Sequence, residues 1–316
     1  MEFRTQHHFS PIDKAIRYED QIVSIGSCFA ENMGKQLLAH KMKCLANPNG
    51  ILFNPISILN ALKTYLSPSR FEPNNAVFEY QGIYHSWLHH GAFNTGNKTA
   101  LIEKITHINN TAHTQLCSAN YLIITWGSAF VYEHIESNTL VANCHKIPAK
   151  EFRKRLLSVS EIVHAYQHFL KELYTINPGI KIIWSISPVK YIKDGLSQNN
   201  LSKSTLFLAL QELLQSDPNS YYFPAFELVQ DELRDYRFYA KDMAHPNEQA
   251  LAYVWEKFTE HCLDKSEHKI RERLSQILLD QQHKILHPDD PAYLKFKTQL
   301  EEKILQFKKE FPGISI

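Results

Sequence analysis

Short apolar runs alternate along this chain with longer segments in which apolar residues recur every three or four positions. The short runs are rich in β-branched and aromatic residues, which favours buried strands; they cover residues 22–25, 121–127, 180–187 and 221–223. The longer segments have the spacing of amphipathic helices; they cover residues 29–38, 57–66, 98–117, 158–176, 201–214 and 247–258. Strand–helix–strand units of this length predict an α/β fold with a central parallel sheet and right-handed crossovers.

Two regions depart from this alternation. Residues 67–97 are rich in Pro, Asn, Gly and aromatic residues, and we predict an irregular insertion packed over a sheet edge because its aromatic side chains need burial. Residues 265–286 and 293–309 are amphipathic and are separated by a proline-containing break at 287–291, which predicts a C-terminal helical hairpin. This hairpin either packs on the core or forms a homodimer. We predict a domain over residues 1–262 and a helical extension over residues 263–316.

A serine stands between the first strand and the first helix. Ser27 follows Gly26, which places its hydroxyl at the carboxyl edge of the sheet, beside unpaired amides at the positive end of a helix. Such a position suits a nucleophile whose attack creates an oxyanion, although a glycine-serine pair after a strand is also an ordinary turn with an N-cap serine.

A second polar pair lies near the other end of the chain. Asp242 and His245 are three residues apart in a loop that precedes a helix, close enough for the carboxylate to orient the imidazole. Together with Ser27 they supply a nucleophile, a general base and a group that orients the base. The sequence therefore predicts these three residues as the catalytic set.

The string Gly26-Ser27-Cys28-Phe29-Ala30 resembles the signature of the GSCFA-domain family, a bacterial group placed with the SGNH/GDSL hydrolases. The similarity runs from about residue 23 to residue 258 and includes residues 125–133, 143–148, 187–194 and 242–246. The resemblance implies an SGNH hydrolase-like α/β fold, a three-layer sandwich around the central parallel sheet with a flavodoxin-like strand order. It also implies a serine nucleophile and a late Asp-x-x-His, roles that fall on Ser27, Asp242 and His245.

The oxyanion donors are predicted to be the amides of Ser27 and Cys28, with a further donor from Gly127 or Asn143. Gly127 ends the second strand and should face the same cleft, because ligands lie outside the carboxyl ends of parallel strands. The Gly-x-Asn-Asp segment of SGNH enzymes is missing there. Asn143 is favoured over Asn94 because the family also carries the cluster around it. Substrate contacts are predicted for His85, Trp87, His89, Trp126, His145 and Lys190.

These residues predict a serine-dependent hydrolase of acyl esters, and family analogy suggests a carbohydrate O-acyl (acetyl) esterase as the specific activity. An O-acyltransferase would use the same serine with a sugar hydroxyl as acceptor. A non-catalytic glycan- or protein-binding module on a hydrolase fold is the alternative from another class.

Two other chemistries compete with the serine. Cys28 at a helix N-terminus would have a lowered pKa and could be the nucleophile. His85 and His89 are four residues apart, with His90 adjacent, and on a helix the first two would share a face as zinc ligands do. Because no glutamate follows in the His-Glu-x-x-His manner, we predict neither a metal nor a cofactor.

Net charge, cysteine content and the first residues limit the classes of partner and the location that we predict for the protein. The chain has 316 residues and a formal net charge of +1, which gives no electrostatic reason to expect a nucleic acid or membrane partner. Its five cysteines are scattered and odd in number, so we predict no disulfide framework. The first residues lack the apolar core of a signal peptide. We therefore predict a cytoplasmic protein whose partner is a small-molecule or glycan ester.

Overall fold

A computed structural model describes residues 4–282 and 291–316. The strands in this part of the chain are β1 (Gln21–Gly26), β2 (Lys43–Ala46), β3 (Val77–Tyr80), β4 (Ile83–Ser86), β5 (Tyr121–Trp126), β6 (Phe130–His134), β7 (Thr139–Val141), β8 (Phe152–Leu156), β9 (Lys181–Ile186) and β10 (Ser220–Tyr222). The α-helices are α1 (Cys28–Ala39), α2 (Pro55–Leu66), α3 (Pro73–Ala76), α4 (Lys98–Ser118), α5 (Val159–Ile176), α6 (Leu196–Ser216), α7 (Ala225–Glu227), α8 (Glu248–Cys262), α9 (His268–Gln281) and α10 (Pro291–Glu310).

The central sheet contains five parallel strands in the spatial order β2-β1-β5-β9-β10. Counted along the chain, these strands have the order 2-1-3-4-5, which is the flavodoxin-like arrangement. The predicted α/β sandwich with a central parallel sheet is therefore confirmed. The order reverses between β1 and β5, and this switch point opens a crevice at the carboxyl ends of the two strands.

Helices cover both faces of the sheet because alternate residues of each central strand point to opposite sides. In β1, Val23 and Ile25 join a buried cluster with residues of α2, α4, α5 and α6, whereas Ile22 joins a cluster with residues of α1, α8, α9 and α10. Helix α5 begins with the reciprocal capping box of Ser158 and Glu161, which satisfies two amides of its first turn.

The insertion is more regular than predicted. Strands β3 and β4 pair as an antiparallel hairpin, and the left-handed backbone of Gln81 and Gly82, with φ of 52° and 77°, forms its turn. The hairpin region shares a separate apolar cluster with Leu101 and Ile105 of α4, and Trp87 shares another with Val141 of β7 and Phe152 of β8. A second sheet, β7-β6-β8, is antiparallel and was not predicted.

The two C-terminal helices pack on the core of the same chain. Leu274 and Ile277 of α9 and Phe307 of α10 are buried in the cluster that contains Ile16 and Phe258. The predicted break at 287–291 lies outside the described residues except for its last position. Homodimer formation through these helices stays a prediction. No helix in the two described ranges has both the length and the apolar character that crossing a bilayer requires.

Candidate active site

Ser27 lies at the switch point, between β1 and α1. It occupies the N-cap position, yet its side chain makes no capping hydrogen bond. The residue is 1% exposed, and its Oγ has no hydrogen-bond partner among the described residues. Buried hydroxyls are normally hydrogen-bonded. An unpartnered one at the positive end of a helix is therefore available for chemistry.

Glycine is required at the position before this serine. Gly26 has a φ of 148°, and a Cβ there would lie 2.2 Å from the carbonyl oxygen of Thr125 on the neighbouring strand. The close approach of β1 to β5 therefore places Ser27 next to Gly127, whose own Cβ position would lie only 3.2 Å from the Ser27 Cβ.

Asp242 and His245 form a hydrogen-bonded pair in the loop before α8. The ring Nδ1 of His245 donates to Asp242 Oδ2 at 2.6 Å. Asp242 Oδ1 accepts from the amides of His245 and Ala244, both at 3.0 Å. These backbone hydrogen bonds, and then the imidazole, lower the pKa of Asp242 to about 2. The carboxylate is thus ionised at neutral pH, and because Nδ1 is the donor, Nε2 of His245 is the ring nitrogen that can accept a proton.

The three predicted catalytic residues lie on one cavity of about 270 Å³. Its walls include Ser27, Asp242 and His245, which come from distant parts of the sequence. The described residues show no direct hydrogen bond between Ser27 Oγ and His245. Such bonds are often long in the unliganded state and shorten when substrate binds.

Two of the predicted oxyanion donors are already engaged. The Ser27 amide donates to the carbonyl of Thr125 at 3.1 Å, and the Gly127 amide donates to that of Phe53 at 2.8 Å. Neither N–H is free in this conformation, so their assignment as donors is corrected. Cys28 lines the cavity and is the first residue of α1, where amides have no intrahelical partner.

Asn143 lies elsewhere than expected. It lines an adjacent cavity of about 350 Å³ and not the one that contains Ser27. Its Oδ1 accepts the amide of His145 at 2.8 Å, which commits part of the side chain to holding its own loop. Asn94 lines neither cavity.

The predicted substrate contacts are divided among different places. Lys190 lines the Ser27 cavity, and His145 lines the adjacent one. Trp126 is 1% exposed and donates its indole N–H to the hydroxyl of Tyr166 at 3.1 Å. Trp126 therefore belongs to the core beneath the site, because its side chain, the last of β5, packs against helix α5 on one face of the sheet.

The residues predicted from the insertion are buried and do not reach either cavity. His85, Trp87 and His89 line neither cavity. The ring of Phe78 stacks on those of His85 and Trp87, and the ring of His89 packs against that of Phe93. His85 belongs to strand β4, so the helical face that would have paired it with His89 does not exist. Within the described residues no group of three or more His, Cys, Asp or Glu side chains is arranged to hold a metal.

The environment of Cys28 opposes its use as the nucleophile. Burial raises the pKa of its thiol, and only secondary contributions from Lys203 and nearby amides oppose that increase. The lowered pKa expected at a helix N-terminus is therefore wrong for this residue. The thiol is protonated at neutral pH, whereas the nucleophilic form of cysteine is the thiolate.

A buried lysine beneath the cavity was missed. Lys203 of α6 is 3% exposed, and its ammonium donates to the carbonyls of Gly127 at 2.7 Å and Ser187 at 2.6 Å. It thus joins the carboxyl ends of β5 and β9 at the cavity. Burial lowers its pKa to about 7. The sequence contained a signal, because this lysine has helical spacing with the buried Leu206 and Leu210.

Two buried histidines make the free energy of unfolding depend on pH. Burial lowers the pKa of His89 from its ordinary 6.5 to about 3 and that of His145 to about 4. The unfolded chain binds these protons more readily, so stability is complete above pH 6.5 and falls as the pH drops toward 4. We expect urea denaturation to show a loss of about 1.4 kcal/mol per pH unit for each histidine in this window.

Single substitutions test the source of this slope. His89→Gln and His145→Gln should each make the decline with falling pH shallower. His168 is exposed on α5, and His168→Gln is the matched control that should leave the slope unchanged. The same slope in all three variants would assign the acid sensitivity to other groups.

Some solved structures resemble this chain at low similarity. A Streptococcus pneumonia protein with the provisional description of platelet activating factor is 14% identical, with a TM-score of 0.38, over 76% of this chain and 84% of that one. An acetyl esterase variant with acetate ion is 11% identical, with a TM-score of 0.26, over 52% of this chain and 61% of that one. A family 3 carbohydrate esterase from Talaromyces cellulolyticus has the same identity and TM-score, over 52% of this chain and 65% of that one.

The comparison with curated proteins found no match. The model of the GSCFA family matches residues 21–258. This match covers most of the chain and includes the strand that precedes Ser27, the cavity walls and the loop of Asp242 and His245. The chain therefore belongs to the GSCFA family.

Proposed function

We propose that this protein is a serine-dependent hydrolase of acyl esters, an SGNH/GDSL-type esterase whose substrate is an O-acylated carbohydrate. One observation carries the proposal. The unpartnered, buried hydroxyl of Ser27 shares a cavity with a histidine whose ring is oriented by an ionised aspartate. This combination of nucleophile, base and orienting carboxylate is the general pattern of nucleophilic acyl transfer.

The reaction has two steps. In the first, Ser27 Oγ bonds to the acyl carbon while its proton passes to Nε2 of His245; the bond to the alcohol oxygen then breaks, and His245 returns the proton to the leaving alcohol. In the second, water attacks the acyl-serine with His245 again as base, releasing the acid and restoring Ser27. Asp242 holds the ring orientation and stabilises the imidazolium in both steps.

The oxyanion that forms in each step lies at the N-terminus of α1. The Cys28 amide is the donor supported by the hydrogen bonding, because the amides of Ser27 and Gly127 are engaged elsewhere. The positive end of the helix dipole adds to the stabilisation. A donor of this kind contributes about 3 kcal/mol to the transition state.

Water is the favoured acceptor over a second alcohol. The side chain of His245 is 48% exposed, so solvent reaches the base directly. An acyltransferase must keep water away from the acyl-serine during transfer. This exposure supports hydrolysis as the main reaction of the site.

The proposal is tested by trapping the acyl-serine. The protein is mixed with p-nitrophenyl acetate, quenched in acid within one turnover and digested for mass spectrometry. We expect one acetyl group on the peptide that contains Ser27, assigned to Ser27 by fragmentation. An acetyl group on Cys28, or turnover without an acyl-enzyme at either residue, would reject the proposed mechanism.

A further inference from the structure

The two cavities described above are adjacent and share part of their walls. The adjacent cavity of about 350 Å³ shares Phe53, Ser128, Tyr191 and Lys193 with the cavity of Ser27. An ester whose carbonyl carbon lies at Ser27 has its acyl and alcohol parts on opposite sides of that carbon. With the acyl part in the first cavity, the alcohol part extends into the second.

The charge along these walls is unbalanced. Lys146, Lys190 and Lys193 line the two cavities, whereas Asp242 is the sole carboxylate among the described lining residues, and it is hydrogen-bonded to His245. Cavities lined by charges of one sign concentrate ligands of the opposite sign. The two cavities together therefore favour an anion.

Lys146 and Lys193 form no ion pair within residues 4–282 and 291–316. Their nearest acidic neighbours along the chain are engaged with other lysines. Asp194 pairs with Lys154, and Glu151 pairs with Lys150 at 3.8 Å. The ammonium groups of Lys146 and Lys193 therefore remain available to a ligand carboxylate. Lys190 differs, because its ammonium packs 4.0 Å from the centre of the Tyr239 ring.

The loop that carries Lys146 is held in a strained conformation. His145 and Lys146 both have left-handed backbone, with φ of 50° and 62°, which is uncommon for residues other than glycine. The amide of His145 donates to Asn143 Oδ1, and its ring donates to the carbonyl of Ser86, both at 2.8 Å. Strain maintained by such fixed contacts is typical of binding sites.

The remaining walls suit a ring-shaped ligand. Phe130, Tyr132 and Phe152 line the second cavity. A few polar groups among apolar and aromatic walls are the usual composition of a small-molecule site, and a volume of about 350 Å³ lies within the usual range for such sites.

We propose that the second cavity binds the alcohol part of the ester, and that this part is an anionic sugar, one bearing a carboxylate, recognised by Lys146 and Lys193. This inference rests on the proposed esterase function and specifies its substrate class. The two lysines act as specificity-determining residues. They bind the alcohol part before and during attack by Ser27, and they neither donate nor accept a proton in the reaction.

A pair of matched esters tests the proposal. Para-acetoxybenzoate and para-acetoxybenzamide have the same shape and differ in one negative charge, and hydrolysis of both is followed by acetate release. We expect the wild type to have at least a tenfold higher kcat/KM for the benzoate, mainly through a lower KM, because one charge-assisted hydrogen bond accounts for about that factor. The preference should weaken in high salt.

Variants connect this preference to the two lysines. The double variant Lys146→Met/Lys193→Met should reduce the ratio of the two kcat/KM values to near one, and Lys193→Arg should keep most of it. Lys150→Met is the matched control, since Lys150 lies outside both cavities, and it should leave the ratio unchanged. A wild-type ratio near one, or a ratio unaffected by the double variant, would overturn the proposal.

A second measurement needs no turnover and separates this proposal from the esterase function itself. Labelling of Ser27 by a fluorophosphonate should be slowed by glucuronate more than by glucose, and glucose phosphate shows whether another anion is equally accepted. Labelling with no protection by either glucuronate or glucose phosphate overturns the anionic subsite alone. Protection by glucose phosphate and not by glucuronate overturns the proposal that the recognised anionic group is a carboxylate. Absence of any labelling at Ser27 overturns the esterase and the subsite together.

Discussion

Replacing Ser27 with alanine should reduce ester hydrolysis to the background rate and abolish fluorophosphonate labelling. Loss of a catalytic nucleophile lowers kcat by about 10⁶-fold in a well-studied serine hydrolase. Here we also expect the variant to be at least as stable as the wild type, because the buried Oγ has no hydrogen-bond partner among the described residues and its removal leaves no group unsatisfied. Labelling and initial rates test the first expectation, and thermal unfolding tests the second.

The adjacent residue provides the matched control. Cys28 lines the same cavity, so Cys28→Ala perturbs the site to a similar extent without removing the proposed nucleophile. This variant should retain labelling and most of the hydrolysis. Loss of labelling in Cys28→Ala with retention in Ser27→Ala would assign the nucleophile to the thiol. A Ser27→Ala variant that no longer folds would contradict the stability argument.

Asp242→Asn should lower kcat by up to about 10⁴-fold with a folded loop. Asparagine keeps an oxygen that can accept the amides of Ala244 and His245, so the loop retains its hydrogen bonds. Its amide group faces Nδ1 of His245 with N–H donors, which favours the wrong tautomer of the ring. Because the pKa of Asp242 is lowered to about 2, the wild-type carboxylate stays ionised throughout the pH range used for the assay.

Asp235→Asn is the control for this substitution. Asp235 is similarly exposed and accepts a backbone amide, that of Arg237, at 2.9 Å, but it does not line the Ser27 cavity. Its variant should have wild-type rates. Equal losses in both variants would mean that the carboxylate acts only through surface charge. Hydrolysis that survives Asp242→Asn unchanged would remove the orienting role.

Prediction from sequence succeeded where the information was local. The β1 strand, the helix after Ser27 and the capping box of Ser158 and Glu161 each depend on residues a few positions apart. The hydrogen bond between Asp242 and His245 was predictable for the same reason. Prediction was less successful for β6, β7 and β8. These strands are short and partly exposed, so their pattern of apolar and polar residues resembles that of loops.

Hydrogen bonding between distant segments decided which backbone amides at the site are free to donate. The amides of Ser27 and Gly127 are occupied by carbonyls of Thr125 and Phe53, and no spacing rule reveals which amide a distant carbonyl will accept. The same holds for Lys203, whose burial depends on the two strand ends that meet above it.

The sequence by itself determined the parallel α/β architecture, the serine at a strand-to-helix junction and the Asp-x-x-His pair, because hydrophobic periodicity and short spacings follow directly from residue order. Only the tertiary structure decided that these groups share a cavity and that the insertion's histidines are buried away from it. It also decided that two lysines with no ion pair among the described residues line the adjacent cavity. The physical reason is that burial, free hydrogen-bond donors and unbalanced charge depend on which distant segments pack together.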